Sequence, residues 1–228
     1  HLPPQATFES RLARGEIAAP QVEALANRIA EFHAHADRGP RIAAFGRFDV
    51  VSRNTLENFE QSAAHVGVTV SAAVHERLRS LANAALDRQR STIEGRAQRG
   101  VPCDTHGDLH LDHVYLLPEQ APADLVIIDC IEFNERFRYA DPVADMAFLA
   151  MDFARQGRRD LSRTFADAYF RASGDAEGRT LLPFYAAYRA AVRGKVEGLK
   201  HGWSEVPAAD RAAALEKARA CWLLALGE

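Results

Sequence analysis

Thr105-His-Gly-Asp-Leu-His-Leu-Asp-His113 places three histidines and two aspartates within nine residues, and no other stretch of the chain is as dense in groups that move protons or hold metals. It runs directly into Val114-Tyr-Leu-Leu117, a short apolar run of β type. A second such run, Leu125-Val-Ile-Ile128, ends on Asp129-Cys-Ile-Glu132, and Pro118 to Asp124 between them is rich in turn residues. That pattern predicts a small hairpin. An aspartate that ends an apolar strand has its backbone fixed while its carboxylate faces the opening. The expectation is one reactive loop at the hairpin's entrance and one at its exit.

On either side of the hairpin the apolar period changes from two to three and four. Val22, Leu25, Ala26, Ile29 and Phe32 predict a helix from Pro20 to Ala36, with proline in its first turn and Gly39-Pro40 as its stop. From Asn54 to about Arg99 a second helical region is expected, broken near Gly67, with Asn54 or Thr55 as its cap. Val74, Leu78, Leu81 and Leu86 form the apolar face of its second half. Asp141-Pro142 reads as another helix start, the aspartate capping and the proline at the first position, with Val143, Met146, Ala147, Ala150 and Phe153 as the buried stripe. Further helices are expected at about 160–173, 181–200 and 208–226. With no repeat, low-complexity tract or linker, the reading is one domain over 1–228, mainly α with a small β hairpin.

The composition narrows the class of function. The 228 residues are 47% hydrophobic and 26% charged, as in globular proteins with a real core. A net charge of −3 argues against a nucleic-acid partner. Apolar stretches such as Trp222 to Leu226 are too short to span a bilayer, and no secretory leader opens the chain. Cys103, Cys130 and Cys221 make neither a disulfide framework nor a metal motif, so a reduced, cytoplasmic protein is expected.

The polar clusters match a known order of motifs. His106-Gly107-Asp108, with four residues before His113, resembles the catalytic loop of aminoglycoside phosphotransferases and related small-molecule kinases, in which asparagine stands at the last place. Ile127-Ile128-Asp129 resembles their metal-binding aspartate, and Asp141-Pro142-Val-Ala-Asp145-Met-Ala147 the segment that follows. The resemblance implies the α-rich C-terminal lobe of a protein-kinase-like fold. It implies ATP and Mg2+ or Mn2+ as cofactors and a small-molecule hydroxyl as acceptor. Asp108 would orient and deprotonate that hydroxyl, Asp129 and His113 would hold the metal, and His106 and Asp145 would keep the loop rigid. Histidine in place of asparagine leaves three outcomes: a variant ligand that favours manganese over magnesium, which prefers oxygen ligands, a metal held by Asp129 alone, or a degenerate enzyme. The run Cys130-Ile-Glu-Phe-Asn134 is similar to a branch of this family in which a P-loop kinase domain often follows.

Two competing readings remain. Asp108-x-His110-x-Asp112-His113 is one residue short of the signature of metallo-β-lactamase-type hydrolases and could bind zinc. That fold needs a β-rich chain, so metal hydrolysis ranks second, and His110 reads as a packing or hydrogen-bonding residue. The other competitor is a non-catalytic, kinase-like binding module. No glycine-rich loop precedes residue 100, and the only lysines are Lys195, Lys200 and Lys217. No Gly-x-x-x-x-Gly-Lys-Ser/Thr occurs either. The nucleotide-binding residues are therefore unassigned and an N-terminal lobe is missing, with His1-Leu-Pro-Pro4 reading as the exit from it. Gly194 and Gly198 are expected to permit close helix packing, and Trp203 and Trp222 to pack. Cys130 reads as a small core residue. Glu132 and Glu135 are expected to pair with Arg136 and Arg138 on the rim of the site.

Overall fold

The computed structural model describes residues 2–121 and 124–227. Its elements are, in order, α1 (Phe8–Ala13), α2 (Ala19–His35), α3 (Pro40–Phe45), α4 (Phe48–Ser62), α5 (Ala72–Gln98), β1 (Cys103–Asp104), β2 (Val114–Leu116), β3 (Leu125–Ile127), α6 (Glu135–Arg138), β4 (Tyr139–Ala140), α7 (Pro142–Arg155), α8 (Arg159–Ser173), α9 (Leu182–Gly202) and α10 (Ala208–Gly227). The expected mainly α architecture with a small hairpin is what forms.

The centre of the molecule is α7, in which every residue from Pro142 to Phe153 is buried. A helix buried on all sides needs neighbours on all sides. Here α8, α9 and α10 pack around it, and α2 lies against α8. Asp141 caps α7 by accepting the Val143 N–H at 2.9 Å. The same carboxylate takes a two-pronged pair from the buried Arg96 at the end of α5, at 2.6 and 3.1 Å. Arg96 also reaches both oxygens of Asp175, beyond α8, at 2.8 and 2.6 Å. Burial alone would favour losing the guanidinium proton, but the two carboxylates raise its pKa instead. One arginine thus ties α5, the start of α7 and the α8–α9 connection together.

Around Trp222 of α10 a smaller apolar cluster forms with Phe59, Leu78, Phe148 and Met151. Gly194 of α9 lies beneath its indole, where an added Cβ would come within 2.9–3.0 Å of the ring. Close packing is the reason for this glycine. At Gly198 the Cβ would only touch Thr69, at 3.4 Å.

β2 and β3 pair antiparallel, with Val114 opposite Ile127, Tyr115 opposite Val126 and Leu116 opposite Leu125. Of the expected connector Pro118 to Asp124, Pro122 and Ala123 lie outside the described residues, as does His1 of the opening run. The Ile128 N–H donates to the His113 carbonyl at 3.1 Å and continues the ladder by one step. That register carries Asp129, at the exit of the hairpin, back to His113 at its entrance.

Several local expectations fail, each for a tertiary reason. Helix α4 starts at Phe48, so Asn54 and Thr55 are mid-helix rather than caps. The Asn54 side chain instead accepts from Arg136 at 2.6 Å. Phe32 is 42% exposed, and the buried face of α2 continues through His33. Trp203 is half exposed rather than packed. The short elements α1, α3 and α6 and the two-residue ladder of β1 with β4 carry too few residues to show a period.

Candidate active site

Two carboxylates on α7 set the shape of the loop. Asp145 and Asp152 are seven residues apart, two turns of helix, so they share a face and stand about 10 Å apart along the axis. Asp145 is fully buried and accepts the backbone N–H groups of His106 at 3.1 Å and Gly107 at 2.9 Å. Asp152 accepts the Leu111 N–H at 3.0 Å. The loop from His106 to Leu111 is therefore laid along α7 and held at both ends. Burial would raise the pKa of Asp145, but the hydrogen bond from His33 and the nearby positive groups prevail and lower it. His33 Nε2 donates to the carboxylate at 3.1 Å, and its Nδ1 is hydrogen-bonded to the Tyr169 hydroxyl at 2.8 Å.

Gly107 has φ +83°, and a Cβ there would meet the Phe137 carbonyl oxygen at 2.8 Å and the Ile131 side chain at 3.1 Å. Only glycine fits both the left-handed backbone and the close approach of the segment after Asp129. The Ile131 N–H in turn donates to the His106 carbonyl at 2.9 Å. His106 joins the two loops. Its Nε2–H donates to the Ile128 carbonyl at 2.8 Å, and its Nδ1 lies 3.3 Å from the Asp108 N–H it accepts.

The groups read from the sequence meet at the top of this scaffold. Asp108 Oδ2 is 3.5 Å from His110 Nε2 and 3.9 Å from His113 Nδ1. His113 Nδ1–H donates to the Asp108 carbonyl at 2.9 Å, which leaves its Nε2 lone pair free, 3.6 Å from Asp129 Oδ2. Asp129 is largely exposed, and it is the one non-glycine residue with positive φ among those described, at +69°. A strained backbone of this kind persists where the surroundings enforce it, commonly at working sites. His113 thus lies within 4 Å of both Asp108 and Asp129, and Asp145 and His106 tie the loop that carries Asp108 to α7 and to the end of β3.

The electrostatics separate the carboxylates. Burial works to raise Asp108, but the hydrogen bond and charge of His110, with His113 and Arg189, hold it down at about 2. Arg189 was not evident in the sequence. It lies buried in α9, donates from Nε to the Ala144 carbonyl at 2.8 Å and stacks over Phe148. Asp112 goes the other way, raised by burial and by the carboxylate of Glu9, on the far side of His110. His113 is lowered, by burial first and then by His110.

The rim differs from expectation. Glu135 pairs with Arg41, Arg136 with Glu57, and Arg138 with Asp104, so the expected pairing of Glu132 and Glu135 with Arg136 and Arg138 does not form. Cys130 is exposed, not a core residue. Asp152 and His33 were also missed. The spacing of two aspartates by seven in an apolar helix was the available signal for Asp152.

Residues 9–188 match the description "Phosphotransferase enzyme family". The chain belongs to that family. It is 35% identical over 188 residues to the uncharacterized protein Rv2004c of Mycobacterium tuberculosis and equally to the uncharacterized protein Mb2027c of Mycobacterium bovis. These matches cover 82% of the chain but 37% of each relative, so the chain spans little more than a third of their length. Among solved structures it is similar to a glucosamine kinase in complex with glucosamine, ADP and inorganic phosphate, with a TM-score of 0.53 and 18% identity. That match covers 92% of this chain and 53% of the kinase. The fold is kinase-like and α+β. The metallohydrolase reading required a β-rich chain and falls with the architecture, since the described residues form only two-stranded ladders. No helix of the described residues is long and apolar enough to cross a membrane.

Proposed function

We propose that the chain is the C-terminal, catalytic-loop lobe of an ATP-dependent phosphotransferase that acts on a hydroxyl of a small molecule. The observation that carries this reading is the anchoring of His106 and Gly107 by Asp145, which fixes the loop so that His113 stands within 4 Å of both Asp108 and Asp129. Phosphoryl transfer asks for positioning and charge neutralisation more than for covalent chemistry. Asp108 at a pKa of about 2 is ionised at every working pH and is a weak base. Its role follows: it accepts a hydrogen bond from the acceptor hydroxyl, aligns the oxygen and receives the proton as that oxygen bonds to the γ-phosphorus of ATP and the bond from the γ-phosphorus to the bridging oxygen breaks, releasing ADP.

The donor set suits a divalent ion. A carboxylate oxygen and a free imidazole lone pair face a common space between Asp129 and His113. An ion held there would neutralise charge on the nucleotide phosphates. The nitrogen ligand suits manganese better than magnesium.

The glycine-rich loop and the phosphate-pairing lysine of such a kinase have no counterpart before Lys195. Together with the partial coverage of the relatives and of the glucosamine kinase, this supports a nucleotide-covering lobe outside the 228 residues. A downstream P-loop domain in the parent chain and a cytoplasmic location belong to the same proposal. The acceptor of the solved neighbour makes amino sugars the first class to try, ahead of other sugars, aminoglycosides and nucleosides. The test is ADP release by the full-length protein across these acceptors. Turnover should appear with one class and vanish in Asp129→Ala. Turnover that survives Asp129→Ala refutes the metal assignment, and no turnover with any acceptor favours the non-catalytic module.

A further inference from the structure

His110 enters the proposed reaction only through its influence on Asp108, yet its side chain is only 7% exposed and poorly paired. Its Nε2 lies 3.5 Å from Asp108 Oδ2, at the outer limit of a hydrogen bond. Its Nδ1 is buried with no hydrogen-bond partner, and the Asp112 carboxylate is 3.9 Å away. A buried ring nitrogen left unpaired is costly and calls for a reason. The ring lies against that of His113, centroids 3.7 Å apart and planes inclined by 37°. One ligand atom each from Asp108, His110 and His113 lies within 4.8 Å of the others.

Two imidazoles and a carboxylate are the donors of a transition metal, not of magnesium. We propose that Asp108, His110 and His113 form a transition-metal site, with zinc the expected ion, which ties up Asp108 and blocks phosphoryl transfer when filled. Ligand atoms on tetrahedral zinc stand about 3.3 Å apart, as follows from Zn–N bonds of about 2.0–2.1 Å. The three side chains must therefore close by roughly 1.5 Å at most, and Asp108, 39% exposed, is free to turn inward. Metal on His110 Nε2 leaves Nδ1–H to donate to Asp112, the carboxylate–histidine arrangement that orients such ligands. Water or an Asp129 oxygen would complete the shell. His110 distinguishes this site from the Asp129–His113 pair.

The block on transfer rests on the proposed function, but the binding does not, so it is measured without nucleotide. The folded 228-residue chain is titrated with Co2+ and read by visible absorption, then challenged with Zn2+. One equivalent of cobalt should give the intense band of a tetrahedral site, and zinc should remove it. His110→Gln and Asp108→Asn, each checked for a native circular dichroism spectrum, should weaken binding about tenfold or more. A folded His110→Gln that binds as the wild type overturns the site, as does the absence of the band at saturating cobalt. If only Asp129→Asn and His113→Asn weaken binding, the ion sits on the other pair and the proposal fails. Should His110→Gln not fold, Asp108→Asn decides the matter alone. In the full-length protein zinc should lower kcat in proportion to the filling of the site, and failure of that arm alone would indict the phosphotransferase reading and leave the site standing.

Discussion

Replacing Asp145 tests the support of the loop most directly. Its carboxylate is fully buried and accepts three hydrogen bonds, from the N–H groups of His106 and Gly107 and from His33 Nε2. In Asp145→Ala all three donors lose their acceptor inside the protein, where each unsatisfied group costs about 1–3 kcal/mol. Partial relaxation makes the sum about 3–5 kcal/mol, the usual cost of breaking a buried pair by removing one partner. For a chain of this size, each kcal/mol lowers Tm by about 2–4 °C, so a fall of roughly 6–20 °C is expected. Asp145→Asn keeps one acceptor but turns an NH2 toward a donor, and should fall about half as far. The pH dependence gives a second reading. Because the folded-state pKa of Asp145 is depressed, its contribution is full above the unfolded value of about 3.9 and is lost as pH falls through the folded value. Wild type should therefore lose stability in acid more steeply than Asp145→Asn. Melts followed by circular dichroism at neutral and acid pH measure both. A Tm for Asp145→Ala within 2 °C of wild type, or parallel acid limbs, would refute the anchoring argument.

His113→Asn in the full-length protein should move the preference from manganese toward magnesium and flatten the acid limb of activity. Since the pKa of His113 is lowered, the wild-type limb should lie below the ordinary histidine value of about 6.5, which a pH series in each metal checks. Native labelling with a thiol reagent should modify Cys130 alone, because burial raises Cys103 to about 12 and Cys221 to about 11, and mass spectrometry of the labelled chain reads this out. Gly194→Ala should destabilise by about 1–2 kcal/mol in urea titrations: the clash with Trp222 outweighs the roughly 1 kcal/mol gain in helix propensity.

What the sequence determined by itself was the order of chemistry and the periods around it. His106-Gly107-Asp108, Asp129 and Asp145 could be read together because their spacing along the chain is set by a hairpin and a helix start, both local features. The long helices were legible for the same reason, since an apolar stripe repeats within each of them. Tertiary structure decided everything that depends on which faces meet. Asn54 ceased to be a cap because α4 gains its first turn at Phe48 and turns that side chain toward Arg136. Arg96, His33 and Arg189 lie 45, 112 and 45 residues from the α7 groups they contact, Asp141, Asp145 and the Ala144 carbonyl, and no period along the chain announces such a meeting. His110 shows the division most clearly. Its sequence marks only a histidine in a loop, whereas burial against His113, with one ring nitrogen unpaired, comes from α7 holding that loop at both ends.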